Sequence, residues 1–152
     1  IFHIFRIMLS SKNKEKIYIK CIESIKSTSE SNKLKFISKL LFESFDNWIF
    51  CGFYFQENDK LFVSEYSANK IPCSPIEFNG VCGTAILKNK ILNIEDVNTF
   101  QGHIVCDNDS KSELCIPFDI DGIKYVLDVD SNIYNAFCEI DEKYLVKIIK
   151  EF

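Results

Sequence analysis

The chain lacks any surplus of positive charge. Lysines and arginines number 18 against 22 aspartates and glutamates, for a formal net charge of -4 and a pI near 5.2. A nucleic-acid partner requires a basic footprint, and this balance excludes one. No apolar run reaches the roughly 20 residues of a membrane-spanning helix. The N-terminal stretch IFHIFRIML is too short for that and lacks the small-residue cleavage site of a signal peptide. Met8 is the only methionine and is read as the natural start, with residues 1–7 an upstream segment kept out of the fold reasoning. No G-x-G-x-x-G or P-loop pattern occurs, so a nucleotide cofactor has no support. Seven cysteines are present, yet no pair has C-x-x-C spacing. An odd count without a leader argues against a secreted disulfide framework, and the spacing argues against a structural zinc site. Buried thiols and redox-active thiols remain. The expected location is the cytoplasm, with no membrane association.

Tryptophan is also scarce, one residue against 14 phenylalanines, so the core is expected to be rich in phenylalanine. Length and composition suit one domain with one core. Helical spacing appears over residues 13–27 (Ile17, Cys21, Ile22, Ile25) and again over about 30–45 (Leu34, Phe36, Ile37, Leu40, Leu41), a candidate helix pair. WIFCGFYF then reads as a buried strand and LFVSEYS as its hairpin partner across a QENDK turn. The stretch 67–80 holds Pro72, Pro75 and Gly80 and reads as loop with a short strand near 76–78. GVCGTAILKNK reads as a short helix and KILNIEDV as a short strand. Residues 98–112 form a long loop, a place where function concentrates. ELCIPFDI and IKYVLDVDS are strands joined by an Asp121-Gly122 turn. Asp141 is expected to cap a last helix that turns Tyr144, Leu145, Ile148, Ile149 and Phe152 inward. This order is an α+β layout with an antiparallel sheet.

Two features carry chemistry. GHIVCDNDSKSE puts Cys106 in the most acidic loop of the chain, although carboxylates disfavour the reactive thiolate. VLDVD puts Asp128 and Asp130 on one face of a strand, where like charges repel unless they face solvent or bind a cation. Cys21 and Cys115 read as core residues, and Cys51 and Cys138 as structural. His103 fits an orienting role in its loop. Gly83 and Thr84 read as pocket wall.

GVCGTAILKNK, EDV, GHIVCD, SKSE and VLDVDS taken together resemble the free methionine-(R)-sulfoxide reductases, a branch of the GAF-domain fold. The resemblance runs from about residue 47 to 131 and more weakly into both terminal helices. It implies a single GAF-like domain over residues 8–152, with a central antiparallel sheet flanked by helices from both chain ends. It also implies reduction of free L-methionine (R)-sulfoxide through a cysteine sulfenic acid and an intramolecular disulfide, a defence against oxidative stress. Thioredoxin is the implied reductant, no cofactor or metal takes part, and a homodimer is compatible. By position, Cys106 matches the attacking cysteine, Cys73 in IPCSPI the usual resolving cysteine, and Cys82 in GVCGTA a third cysteine able to pair with the nucleophile. Glu113, Asp128 and Asp130 match carboxylates of the substrate pocket, and Trp48 and Tyr54 match its aromatics. The aromatic motif, NWIFCGFY, is two residues longer here than in the family, a length that a bulge absorbs. One residue is missing between Cys73 and Cys82, and another between Glu113 and the aspartate pair.

The residue chemistry agrees with that assignment. Reduction of a sulfoxide by a thiolate needs a proton or strong hydrogen bond on the sulfoxide oxygen, which a carboxylic acid supplies if a like-charge cluster raises its pKa. Free methionine sulfoxide also carries an ammonium group for carboxylates to bind. The competing readings are a GAF-type module that senses a small ligand or redox state without turnover, and a reductase that has lost activity.

Overall fold

A computed structural model describes residues 9–102 and 107–152. Two helices lead, α1 (Ser11–Ser27) and α2 (Lys33–Ser44). They are followed by the hairpin strands β1 (Trp48–Glu57) and β2 (Lys60–Ala68). A short helix α3 (Val81–Lys88) and a short strand β3 (Leu92–Ile94) come next. The hairpin β4 (Ser112–Ile120) and β5 (Ile123–Ser131) precedes the last helix α4 (Glu139–Ile149). The sheet runs in the order β2-β1-β5-β4-β3, and every pairing is antiparallel. The expected α+β layout of a GAF-like domain is the one found.

Local signals explain the element ends. Ser10 accepts a hydrogen bond from the Asn13 N–H at the start of α1, and Asn32 does the same for Lys35 at the start of α2. Asp121 and Gly122 both have positive φ (50° and 81°), the requirement of a tight two-residue hairpin turn. Gly83 answers a different need. A Cβ there would fall 2.3 Å from the Cα of Phe78, so only glycine lets α3 lie this close to the preceding segment. Ile76 of that segment forms an isolated bridge with Leu61, which is the short pairing expected near residues 76–78.

The sheet separates two cores. On one face Cys51, Phe53, Leu114, Ile116, Leu127 and Val129 pack beneath α1, α2 and α4 with Tyr18, Ile25, Ile37, Leu41 and Leu145. On the other face Phe50, Tyr54, Val126 and Cys115 meet α3 through Val81, Cys82, Ala85 and Ile86. Phenylalanine contributes to both, as composition suggested. Cys21 lies in the helix-side core as expected, Cys51 is fully buried there, and Cys138 caps α4.

Two details of α4 differ from the sequence reading. Asp141 is not the N-cap. Cys138 holds that position, and Asp141 sits three residues on, accepting a hydrogen bond from the Cys138 N–H at 2.8 Å in a capping-box arrangement. Asp141 also accepts from Lys14 Nζ and Tyr18 Oη, each at 2.6 Å, and Lys14 donates to the Ala136 carbonyl at 2.8 Å. The one carboxylate thus serves both the local capping box and a long-range ion pair. Phe152 stacks on Phe118 but remains 41% exposed, because it lies past the end of the helix.

The Lys14–Asp141 pair is almost fully buried and ties the first helix to the last. Removing one partner of such a pair leaves a buried charge uncompensated, at a cost of about 3–5 kcal/mol. Asp141→Ala is therefore expected to lower the unfolding free energy by about that amount. Urea denaturation of the variant beside the intact chain measures it, and a loss well under 1 kcal/mol would contradict this account of how the terminal helices are held.

Candidate functional site

The β4–β5 hairpin builds the site. Its register pairs Glu113 with Asp130 and Cys115 with Asp128. Residues two apart on a strand share a face. Glu113 and Cys115 on β4 therefore lie beside Asp130 and Asp128 on β5, all on the sheet face away from the three long helices. Cys82, in the first turn of α3, comes down on the same spot. Its Sγ lies 3.4 Å from Cys115 Sγ and 4.0 Å from Glu113 Oε2. Cys115 Sγ lies 3.6 Å from Glu113 Oε2 and 3.5 Å from Asp128 Oδ1.

A pocket with a free volume of about 60 Å³ opens above these groups. Its lining includes Ile49, Phe50, Tyr54, Cys82, Glu113, Asp128 and Asp130. Phe50 and Tyr54 stack with ring centroids 6.1 Å apart and form an apolar wall. Tyr54 Oη donates to the Cys73 carbonyl at 2.9 Å, and the Ser74 hydroxyl accepts from the Val63 N–H at 3.0 Å. The segment carrying Cys73 is thus pinned to β1 and β2 at the pocket wall. Cys73 is disulfide-bonded, whereas Cys21, Cys51, Cys82, Cys115 and Cys138 are free thiols. At the outer edge Lys70 pairs with Asp107 at 3.1 Å and Asp109 at 3.7 Å.

Burial and mutual repulsion set the electrostatics. Burial first, then the charges of Asp128 and Asp130, hold the Glu113 carboxyl well above the usual carboxylate range. Asp130 is raised by burial and by Asp128, while a hydrogen bond from Ser110 at 3.2 Å partly offsets this. The bond with Cys115 favours the Cys82 thiolate, but burial together with the charges of Asp128 and Asp130 prevails and pushes Cys82 up to about 12. Burial raises Cys115 as well. Burial and mutual repulsion thus favour the neutral, hydrogen-bond-donating form of the Glu113 and Asp130 carboxyls, and a cation entering the pocket would favour the ionised form.

Of the residues singled out from sequence, Cys82, Glu113, Asp128, Asp130 and Tyr54 converge on this pocket. Cys73 stands at its wall through the Tyr54 bond. Trp48 does not join them. It stacks on Phe45 at 4.4 Å and packs near Phe137 in the helix-side core. The cause is an irregularity in the β1–β5 register between Trp48 and Phe50, which shifts the alternation by one residue. That bulge absorbs one of the two extra residues of NWIFCGFY and gives the pocket Phe50 in place of the tryptophan. Cys106 and His103 lie outside the described residues. Cys115 is buried as expected, but its contact with Cys82 was not anticipated. The signal was present in its spacing, two residues after Glu113 on one strand.

A carboxyl whose pKa is raised by folding makes stability fall with pH, from the unfolded carboxyl range near 4.3 up through the folded value, because the unfolded chain ionises first. Glu113→Gln removes this penalty. It is expected to raise Tm at pH 7.5 by about 2–4 °C, equivalent to about 1 kcal/mol for a chain of this size, and to flatten the decline between pH 5 and 8. Thermal denaturation across that pH range tests this. An unchanged slope with a lower Tm would show that the carboxyl is ionised and stabilising.

No protein-family model matches the chain. It is 39% identical over 116 residues to the free methionine-R-sulfoxide reductase of Escherichia coli, covering 75% of this chain and 70% of that protein. Among solved structures it resembles the free methionine-R-sulfoxide reductase from Neisseria meningitidis in complex with its substrate, with a TM-score of 0.81 and 27% identity over 99% of this chain and 93% of that one. A GAF sensor protein from Burkholderia vietnamiensis gives a TM-score of 0.80 and 27% identity, covering 94% and 93%. Fold, carboxylate cluster and sequence likeness converge: the chain belongs to the free methionine-(R)-sulfoxide reductase family and has its GAF fold.

Proposed function

We propose that this protein reduces free L-methionine (R)-sulfoxide to L-methionine by thiol chemistry, with Cys106 as the attacking cysteine and thioredoxin as the reductant. The observation that carries the reading is the buried cluster of Glu113, Asp128 and Asp130 beneath the Phe50 and Tyr54 wall. Such a cluster suits a small ligand with an ammonium group, an apolar chain and a basic oxygen. The carboxylates bind the ammonium, the aromatic wall takes the apolar part of the ligand, and a protonated carboxyl donates to the sulfoxide oxygen.

In the proposed cycle the Cys106 thiolate attacks the electrophilic sulfoxide sulfur while a carboxyl protonates the oxygen, and the hydroxyl then passes to the Cys106 sulfur as the new S–S bond breaks. The sulfoxide sulfur is reduced, Cys106 becomes a sulfenic acid, and methionine leaves. Cys73 then attacks that sulfenic sulfur, a disulfide forms and one water departs. A dithiol reductant exchanges with the disulfide and restores both thiols. The disulfide-bonded state of Cys73 and the free, strongly raised thiol of Cys82 favour Cys73 as the resolving residue. Thiols and carboxylates alone close this cycle.

The test is turnover of the R and S epimers of free methionine sulfoxide with dithiothreitol and with thioredoxin. R-selective turnover is expected in the intact chain. Cys106→Ser should abolish it, at least a 1,000-fold loss on the order expected for a removed nucleophile. Cys73→Ser should retain a single turnover and lose thioredoxin-driven cycling. Absence of turnover of either epimer by folded protein would overturn the reductase reading and leave a binding module.

A further inference from the structure

We propose that Cys82, Glu113, Cys115 and Asp128 form a zinc(II) site on the floor of the pocket, so that zinc and the ammonium group of the substrate exclude one another. One ligand atom from each of the four residues lies within 4.8 Å of the other three. A tetrahedral zinc ion with sulfur at about 2.3 Å and oxygen at about 2.1 Å sets sulfur–sulfur edges of about 3.8 Å and sulfur–oxygen edges of about 3.6 Å. The observed sulfur–sulfur separation is 3.4 Å, and three of the four sulfur–oxygen separations are 3.5, 3.6 and 4.0 Å. Each lies within about 0.4 Å of those edges. The remaining edges are bounded at 4.8 Å, so closure around the ion asks the side chains to draw together.

The donor set selects the metal. Two thiolates with two carboxylates suit a borderline-soft ion and disfavour magnesium and calcium, which take oxygen. Four deprotonated ligands and one dication sum to the same formal charge as a four-cysteine zinc site, which proteins bury routinely. Thiol and carboxyl ligands must be deprotonated to hold the ion, so binding releases protons and affinity rises with pH. Cys82, Glu113 and Asp128 line the pocket, which provides the entry path, and Cys115 closes the shell from beneath.

This site differs from a structural zinc knot in two ways. Its two cysteines stand 33 positions apart, on a helix and on a strand, so no spacing motif announces it. It also uses carboxylates that the substrate needs. Zinc occupancy would thus report free zinc as loss of turnover. The inhibitory consequence rests on the reductase reading, while the metal site does not.

The experiment separates the two. The reduced Cys73→Ser/Cys106→Ser variant retains Cys82 and Cys115 and removes two competing thiols. Titration with cobalt(II) is expected to give thiolate-to-cobalt charge-transfer absorption that saturates at one equivalent and is bleached by zinc. Adding Cys115→Val should weaken binding at least tenfold and cut that absorption by about half, with unchanged circular dichroism. In the otherwise intact chain, zinc should raise the KM for the sulfoxide far more than in Cys115→Val. No charge-transfer band at one equivalent, or equal affinity with and without Cys115, would overturn the site. If neither protein turns over, the cobalt titration still decides the metal site and only the inhibition falls with the reductase reading.

Discussion

The register of the β4–β5 hairpin is the constraint on which the rest depends. Glu113, Asp128 and Asp130 share one face of the sheet, while Leu114, Leu127 and Val129 share the other. A slip of one residue would carry three acids into the core beneath α1, α2 and α4 and expose the aliphatic residues to the pocket. The Asp121-Gly122 turn forbids that slip, because its two positive φ angles close the hairpin at one length only. The position of the acids in space is thus held by a turn at the far end of the same hairpin.

The two faces obey opposite rules. On the helix side, apolar residues close around one charged pair, Lys14 and Asp141, whose hydrogen bonds link the two ends of the chain. That pair is compensated within the fold. On the pocket side, acids are gathered with burial and like charges against them, so their ionisation opposes folding. A fold tolerates this when the strain is recovered by a ligand, and a cationic group entering the pocket is the complement that such a cluster favours.

The thiols show the same division. Cys21 and Cys51 are packing residues on the helix side, and Cys138 serves as a helix cap. Cys82 and Cys115 touch within the pocket floor, where burial and then the surrounding charge raise both thiols. The Cys73 segment is fastened by Tyr54 and by Ser74 at the pocket wall. The two thiols beside the acids are both raised, and the oxidised thiol, Cys73, stands on a separate segment.

Sequence by itself determined the elements and their alternation. Side-chain direction has a period of two in a strand, so VLDVD and SELC announce which residues share a face, and the glycines and prolines mark where the chain must turn. The Asp128 and Asp130 pair was legible for that reason, while Glu113 joined it through the family resemblance. Tertiary structure alone decided three things. Trp48 turned to the helix-side core and Phe50 took the pocket, because a bulge exists only relative to the partner strand that it skips. Asp141 caps α4 from its third position and also binds Lys14, a residue 127 positions away that no local pattern can name. Cys82 met Cys115 across 33 positions, because Gly83 lets α3 lie close against its preceding segment and two elements with separate periodicities converge. Periodicity is a local property of the chain. Contact between distant elements depends on how the whole fold closes.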